Sequence, residues 1–170
     1  MKSIYFIVLC LCLAFTTLGQ ETNNGKRLWA KSVLNEKAPE LAVEEWISDK
    51  PKTKDKFILI DFWATWCGPC RMSIPHLNKF QEKFSRKLVV IGISDEPLQT
   101  LKNISDPLMK YYSARDSKRI MYNQLEVRAI PHCLLISPAG KVIWEGIPLL
   151  EGHELTEELL RKLIAKYKTR

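Results

Sequence analysis

The chain is 170 residues long and carries 26 Lys and Arg against 19 Asp and Glu, a formal charge of +7. That length holds one domain with a substantial core. The basic excess is dispersed, apart from Lys50, Lys52, Lys54 and Lys56 around Asp55 in a solvated turn. No basic face with interleaved aromatics accompanies it, which excludes nucleic acid as a partner.

In chain order, Met1-Lys2 gives a short positive start and residues 4–18 a mostly apolar run. Thr17 and Gly19 then supply the small residues that leader cleavage before Gln20 uses. The run is about 15 residues, shorter than the roughly 20 of a membrane-spanning helix. Residues 1–19 are therefore expected to be a signal peptide, and the protein to be exported to the periplasm. Left uncleaved, the same segment would serve as an N-terminal membrane anchor. Cys10 and Cys12 lack the preceding small residues of a lipid-attachment site and count as apolar residues of the signal. Residues 20–35 read as a flexible lead-in and residues 36–170 as the folded domain.

Ala38-Pro39 with Leu41, Val43, Trp46 and Ile47 suggests an extended segment at the domain edge. Phe57 to Trp63 is too continuously apolar for a one-face strand, so it is expected at the centre of a sheet covered on both sides. After Cys67, Leu77, Phe80 and Phe84 fall at helical spacing, with Pro75 inside as a kink. Leu88 to Ile93 reads as a second buried strand, 97–105 as a short helix, Tyr111 to Ala114 as a short strand and Ser117 to Leu125 as a helix. Strands at 132–137 and 141–145 flank Pro138-Ala139-Gly140, a hairpin turn. Thr156 caps a last helix, with Leu155 and Leu160 as its hydrophobic staple and Glu157 and Glu158 on its positive end. Strands alternating with helices, then a hairpin and a helix, give an α/β domain with a mixed sheet between helices.

The chemistry concentrates in Asp61-Phe-Trp-Ala-Thr-Trp-Cys-Gly-Pro-Cys70. A Cys-x-x-Cys alone is weak evidence, because half of a zinc site looks the same. Between a buried strand and a helix it reads as a dithiol/disulfide centre. A helix starting at Cys67 would place backbone N–H groups and the helix dipole against its thiolate and lower its pKa. Cys67 is then the attacking nucleophile, and Cys70, one turn further in, the resolving thiol. Gly68 permits close approach, Pro69 suits the first helical turn, and Trp66 shapes the surface around the thiol. Asp61, a carboxyl inside an apolar strand, costs too much to bury without a role. Burial raises its pKa and suits it to exchange a proton with Cys70. Only Cys133 remains besides this pair after the signal; in an exported chain, where thiols tend to become disulfides, that pattern is expected of a protein that acts on disulfides rather than one stapled by them.

These residues resemble the thioredoxin-fold proteins, and within them the exported TlpA/ResA-like thiol-disulfide oxidoreductases. The resemblance spans roughly residues 36–168 and rests on the 61–71 motif, on Pro75, and on Arg128-Ala129-Ile130-Pro131. It implies a thioredoxin-like fold, with a central mixed β-sheet flanked by helices, an N-terminal extension around Ala38-Pro39 and an extra strand–helix insertion before Pro131. It also implies that Pro131 is cis and packs on the disulfide, and that the Ile130 backbone binds an extended substrate beside Cys67. Trp66, Gly68, Pro69, Ile130 and Pro131 thus form the expected substrate-binding surface.

The pattern departs from that group in three places. Ser73 stands where a glutamate is usual, Asp61 stands on a strand that usually lacks an acid, and His132-Cys133 follows the proline instead of threonine. His132, if charged near the pair, would stabilise the thiolate and make the centre more oxidising; packed in its strand, it would not. Cys133 reads as a small buried apolar residue. The expected function is reduction of protein disulfides without a cofactor, the electrons coming from a membrane donor protein. An oxidant or isomerase of the same fold is the alternative within the family. A rival from another class is a periplasmic copper carrier using Cys67, Cys70 and His132 as ligands.

Overall fold

The computed structural model describes residues 29–168. The expected signal peptide, and the lead-in up to residue 28, lie outside the described residues. Ten elements follow in order: β1 (Glu45–Trp46), β2 (Phe57–Phe62), α1 (Gly68–Phe84), β3 (Leu88–Ser94), α2 (Leu98–Lys102), β4 (Tyr112–Arg115), α3 (Ile120–Gln124), β5 (His132–Ile136), β6 (Val142–Gly146) and α4 (Glu157–Tyr167). The six strands form one mixed sheet in the order β1-β4-β3-β2-β5-β6. β2, β3 and β4 run parallel, while β1, β5 and β6 pair antiparallel to their neighbours.

Two apolar layers cover the sheet, which explains why β2 and β3 are apolar on both faces. Phe57, Leu59, Val90 and Leu135 face α1 and α4, where they meet Leu77, Phe80, Leu160 and Ile164. Ile60, Phe62, Ile91 and Leu134 face the other way, against Met121, Tyr122 and Leu125. Strand alternation therefore puts Asp61, Gly92 and Cys133 on the α1 face. The registers set Asp61 beside Gly92 on one side and Cys133 on the other.

The last helix starts as its sequence dictates, with Thr156 accepting from the Leu159 N–H at 3.1 Å. α1 contains Pro75, as expected, and continues to Phe84. Two elements differ from expectation for identifiable reasons. The helix expected over 97–105 is only Leu98–Lys102. The chain beyond it is instead fastened to α1, where Arg71 donates to the Asp106 carbonyl and Asn78 to that of Leu108, each at 2.8 Å. α3 begins at Ile120 rather than Ser117, because the Asp116 carboxylate takes the N–H groups of Ile120 and Met121 at 2.8 and 2.9 Å.

The end of the lead-in is also part of the domain. Val33 is buried, its N–H donates to the Glu145 carboxylate at 2.9 Å, and Ser32 Oγ donates to the same group. Lys31 N–H reaches the Leu125 carbonyl, and the Trp29 carbonyl accepts from Arg128 N–H. The folded unit accordingly begins before residue 36. Among the described residues, no helix is long and apolar enough to cross a membrane.

Candidate active site

The 61–70 segment leaves the sheet at Phe62, turns, and enters α1. Cys67 is the N-cap, with extended backbone (φ −82, ψ 102), and its sulfur accepts from the Cys70 N–H at 3.2 Å. Pro69 sits in the first turn, where its missing N–H leaves no bond unmade. Cys67 and Cys70 are joined by a disulfide with their Cα atoms 5.2 Å apart. The two sulfurs differ in setting: Cys70 is sealed at 0% exposure, while Cys67 retains 4% at the rim beside Gly68, Pro69 and the 73%-exposed Trp66. Ser73, one turn on, donates to the Pro69 carbonyl at 3.1 Å and offers no ionisable group there.

Opposite the disulfide, Ile130-Pro131 is a cis peptide, and the Cys67 sulfur lies 3.7 Å from the Ile130 carbonyl oxygen. Pro69, Ile130, Pro131 and His132, with Trp29 and Ile147, line a recess of about 200 Å³. Of the five expected substrate-binding residues, Pro69, Ile130 and Pro131 line this recess, joined by Trp29 from the lead-in, while Trp66 and Gly68 lie outside its lining. A further clasp was not foreseen. Thr65 donates through both N–H and Oγ1 to the Glu96 carboxylate, each at 2.6 Å, tying the turn before Cys67 to the chain after β3. The available signal was an acid immediately after a buried strand, in Ser94-Asp95-Glu96-Pro97.

Asp61 is fully buried, and its carboxylate accepts from Tyr111 Oη at 2.9 Å and Cys133 Sγ at 3.3 Å. Loss of hydration pushes its pKa up to about 6, with the two donors pulling the other way. Burial, followed by the nearby Asp61 charge, drives Tyr111 and Cys133 well above their ordinary ranges, so both keep their protons. Cys133 is buried as expected, but as a hydrogen-bond donor and not merely an apolar filler.

His132 lies on the other face of β5. It is buried and stacked on Phe62, its cross-strand partner, with ring centroids 6.2 Å apart. The three-ligand site of the copper-carrier reading is not formed: among the described residues, no three or more His, Cys, Asp and Glu side chains group to hold a metal ion. His76, on α1, hydrogen-bonds the Leu155 carbonyl at 2.9 Å and packs on Phe80.

A dithiol pair at a helix N-terminus, faced by a cis-proline across a mixed sheet, defines the thioredoxin-like class. The profile of the thioredoxin-like family matches residues 55–142. The thiol-disulfide oxidoreductase ResA of Bacillus thuringiensis subsp. konkukian is 30% identical over 169 residues, covering 95% of this chain and 94% of that protein. ResA of Bacillus cereus is 30% identical over 164 residues, covering 93% and 90%. In structure, a thiol-disulfide isomerase from Corynebacterium glutamicum superposes with a TM-score of 0.64 at 17% identity, over 78% of this chain and 96% of that one. The chain belongs to the thioredoxin-like family, among the ResA-like thiol-disulfide oxidoreductases.

Proposed function

We propose that this oxidoreductase works outside the cytoplasm as a reductant of protein disulfides, with Cys67 as nucleophile and Cys70 as resolving thiol. The observation that carries the reading is the asymmetry of the pair. Cys67 holds a backbone N–H on its sulfur at the helix start and keeps an edge at the surface, whereas Cys70 is sealed. A hydrogen bond and the positive helix end both favour the thiolate at Cys67.

In the reduced protein, the Cys67 thiolate attacks one sulfur of a substrate disulfide. The substrate S–S bond breaks, a Cys67–substrate bond forms, and the other substrate sulfur leaves as thiolate. Asp61, ionised near neutral pH, accepts the Cys70 proton. The Cys70 sulfur then attacks Cys67, forming the intramolecular disulfide and expelling the second substrate thiolate, which takes up a proton. Two electrons have passed to the substrate, and a membrane donor protein returns them. The recess lined by Pro69, Ile130 and Pro131 receives the substrate backbone, with Trp66 and Gly68 flanking Cys67 in the chain. His132, which lines the same recess and stacks on Phe62, tunes the centre only through that packing. Export rests on the charged and apolar pattern of residues 1–19.

Cys70→Ser should trap substrate proteins on Cys67, and Cys67→Ser should abolish exchange; adducts forming on Cys133 instead would overturn the assignment of Cys67 as nucleophile. Direction is tested by the midpoint potential of the pair. A value near the roughly −270 mV of thioredoxin selects the reductant, and one about 100 mV higher selects an oxidant or isomerase.

A further inference from the structure

The Asp61 carboxylate is held by Tyr111 and Cys133, and the residues beside it in the sheet have distinct parts. On the β3 side the register partner is Gly92. A Cβ there would lie 3.0 Å from Trp63 Nε1 and 3.1 Å from Tyr111 Cε2, so the space above Gly92 is already filled by the tyrosine and indole rings. Tyr111 enters from the residue preceding β4, one strand further out, and crosses the bare glycine to place its hydroxyl 2.9 Å from Asp61 Oδ2. On the β5 side the register partner is Cys133, whose sulfur donates to Oδ1 at 3.3 Å. Each carboxylate oxygen thus has one neutral donor. α1 brings the disulfide-bonded Cys70 into the buried cluster that holds Tyr111, Cys133 and Trp63, Tyr122 of α3 feels the Asp61 charge from the other layer, and no described salt bridge includes Asp61.

We propose that Tyr111, seated over Gly92, and Cys133 are positioning residues that fix the proton affinity of Asp61 from opposite sides. The proposal rests on the reading of Asp61 as the proton carrier for Cys70. Hydrogen bonds donated to a carboxylate favour its ionised form, whereas burial favours the neutral one. The two donors therefore offset part of the desolvation cost, leaving the carboxyl able both to take and to return a proton near neutrality. Both donors resist ionisation in this setting, so neither loses its proton in the range where Asp61 works. Gly92 contributes by having no side chain, because any Cβ would displace the Tyr111 ring or the Trp63 indole.

The test follows the Asp61 carboxyl directly, by ¹³C NMR of aspartate-labelled oxidised protein, together with the pH profile of disulfide reduction. In Tyr111→Phe, which keeps the ring and removes the donor, the Asp61 midpoint should rise by on the order of one pH unit. Cys133→Ala should raise it less, since a thiol is the weaker donor, and Cys133→Ser should restore it. Gly92→Ala should move the midpoint in the same direction as Tyr111→Phe. An unchanged midpoint in both Tyr111→Phe and Cys133→Ala would overturn the proposal, even if Asp61→Asn still altered the rate profile. A midpoint that rises while the rate profile stays in place would uphold the positioning roles and instead remove Asp61 as proton carrier.

Discussion

Replacing Asp61 by asparagine should make the oxidised protein more stable, and the gain should depend on pH in a defined way. The carboxyl has its pKa raised from 3.8 to about 6 on folding because it is fully buried. Between those values the folded state binds more protons than the unfolded one, so unfolding free energy falls as pH rises. The stability associated with the protonated group is fully present below the unfolded pKa and lost as pH passes through the folded one. Two units at about 1.4 kcal/mol each give a cost of roughly 3 kcal/mol at pH 8, shrinking to about 1 kcal/mol at pH 4.5. Against a total of about 5–15 kcal/mol for a typical domain, that is a large fraction. Asparagine cannot ionise and so lacks the slope. Its imperfect match to Tyr111 and Cys133 subtracts an amount that does not vary over this range. Urea unfolding of both oxidised proteins across pH 4.5 to 8 should therefore show a wild-type–variant gap that widens by about 2 kcal/mol. A gap of constant size would refute the assignment of a strained buried charge to Asp61.

Glu145→Ala should destabilise by about 2 kcal/mol, because the buried Val33 N–H and Ser32 hydroxyl lose a charged acceptor; limited proteolysis should then cut within residues 29–38, and thermal melts should report the loss. Thr156→Ala should cost about 1 kcal/mol through the lost cap of α4, with Thr156→Ser close to wild type in the same melts. Reduction of the pair should change the tryptophan fluorescence, and Trp66→Phe should remove the larger part of that change, since Trp66 is solvated and adjoins Cys67.

The parts legible in the sequence were those specified locally. β2 and β3 announced themselves by unbroken apolar runs, α4 by Thr156 and its acidic first turn, and the dithiol by the strand and helix on either side of it. Asp61 was legible as a buried acid because its neighbours are apolar. Its partners were not, since Tyr111 and Cys133 lie 50 and 72 positions away and reach it only through strand register. Glu145 shows the same reasoning left unapplied. It too is a carboxyl within an apolar strand, Val142–Gly146, and its grip on Ser32 and Val33 is what makes the polar lead-in part of the domain. His132 looked adjacent to the disulfide because it follows Pro131, but alternation along β5 turns it to the face opposite Cys133. α3 was placed too early because Ser117 looks like a cap, whereas the carboxylate of Asp116 occupies that role.

The segment fastened by Glu145 also covers the border of the sheet. β6 is the last strand in its order. The N–H of Val142 is taken by the Glu36 carbonyl at 3.0 Å, its carbonyl by Asn35 N–H at 2.9 Å, and Ala38 N–H binds the Gly140 carbonyl at 2.8 Å. An uncovered outer strand offers these same groups to other molecules as a template for strand addition. Removing the chain through residue 38 should therefore let copies associate edge to edge through β6, read as a loss of solubility, and also strip Trp29 from the recess beside Ile130-Pro131.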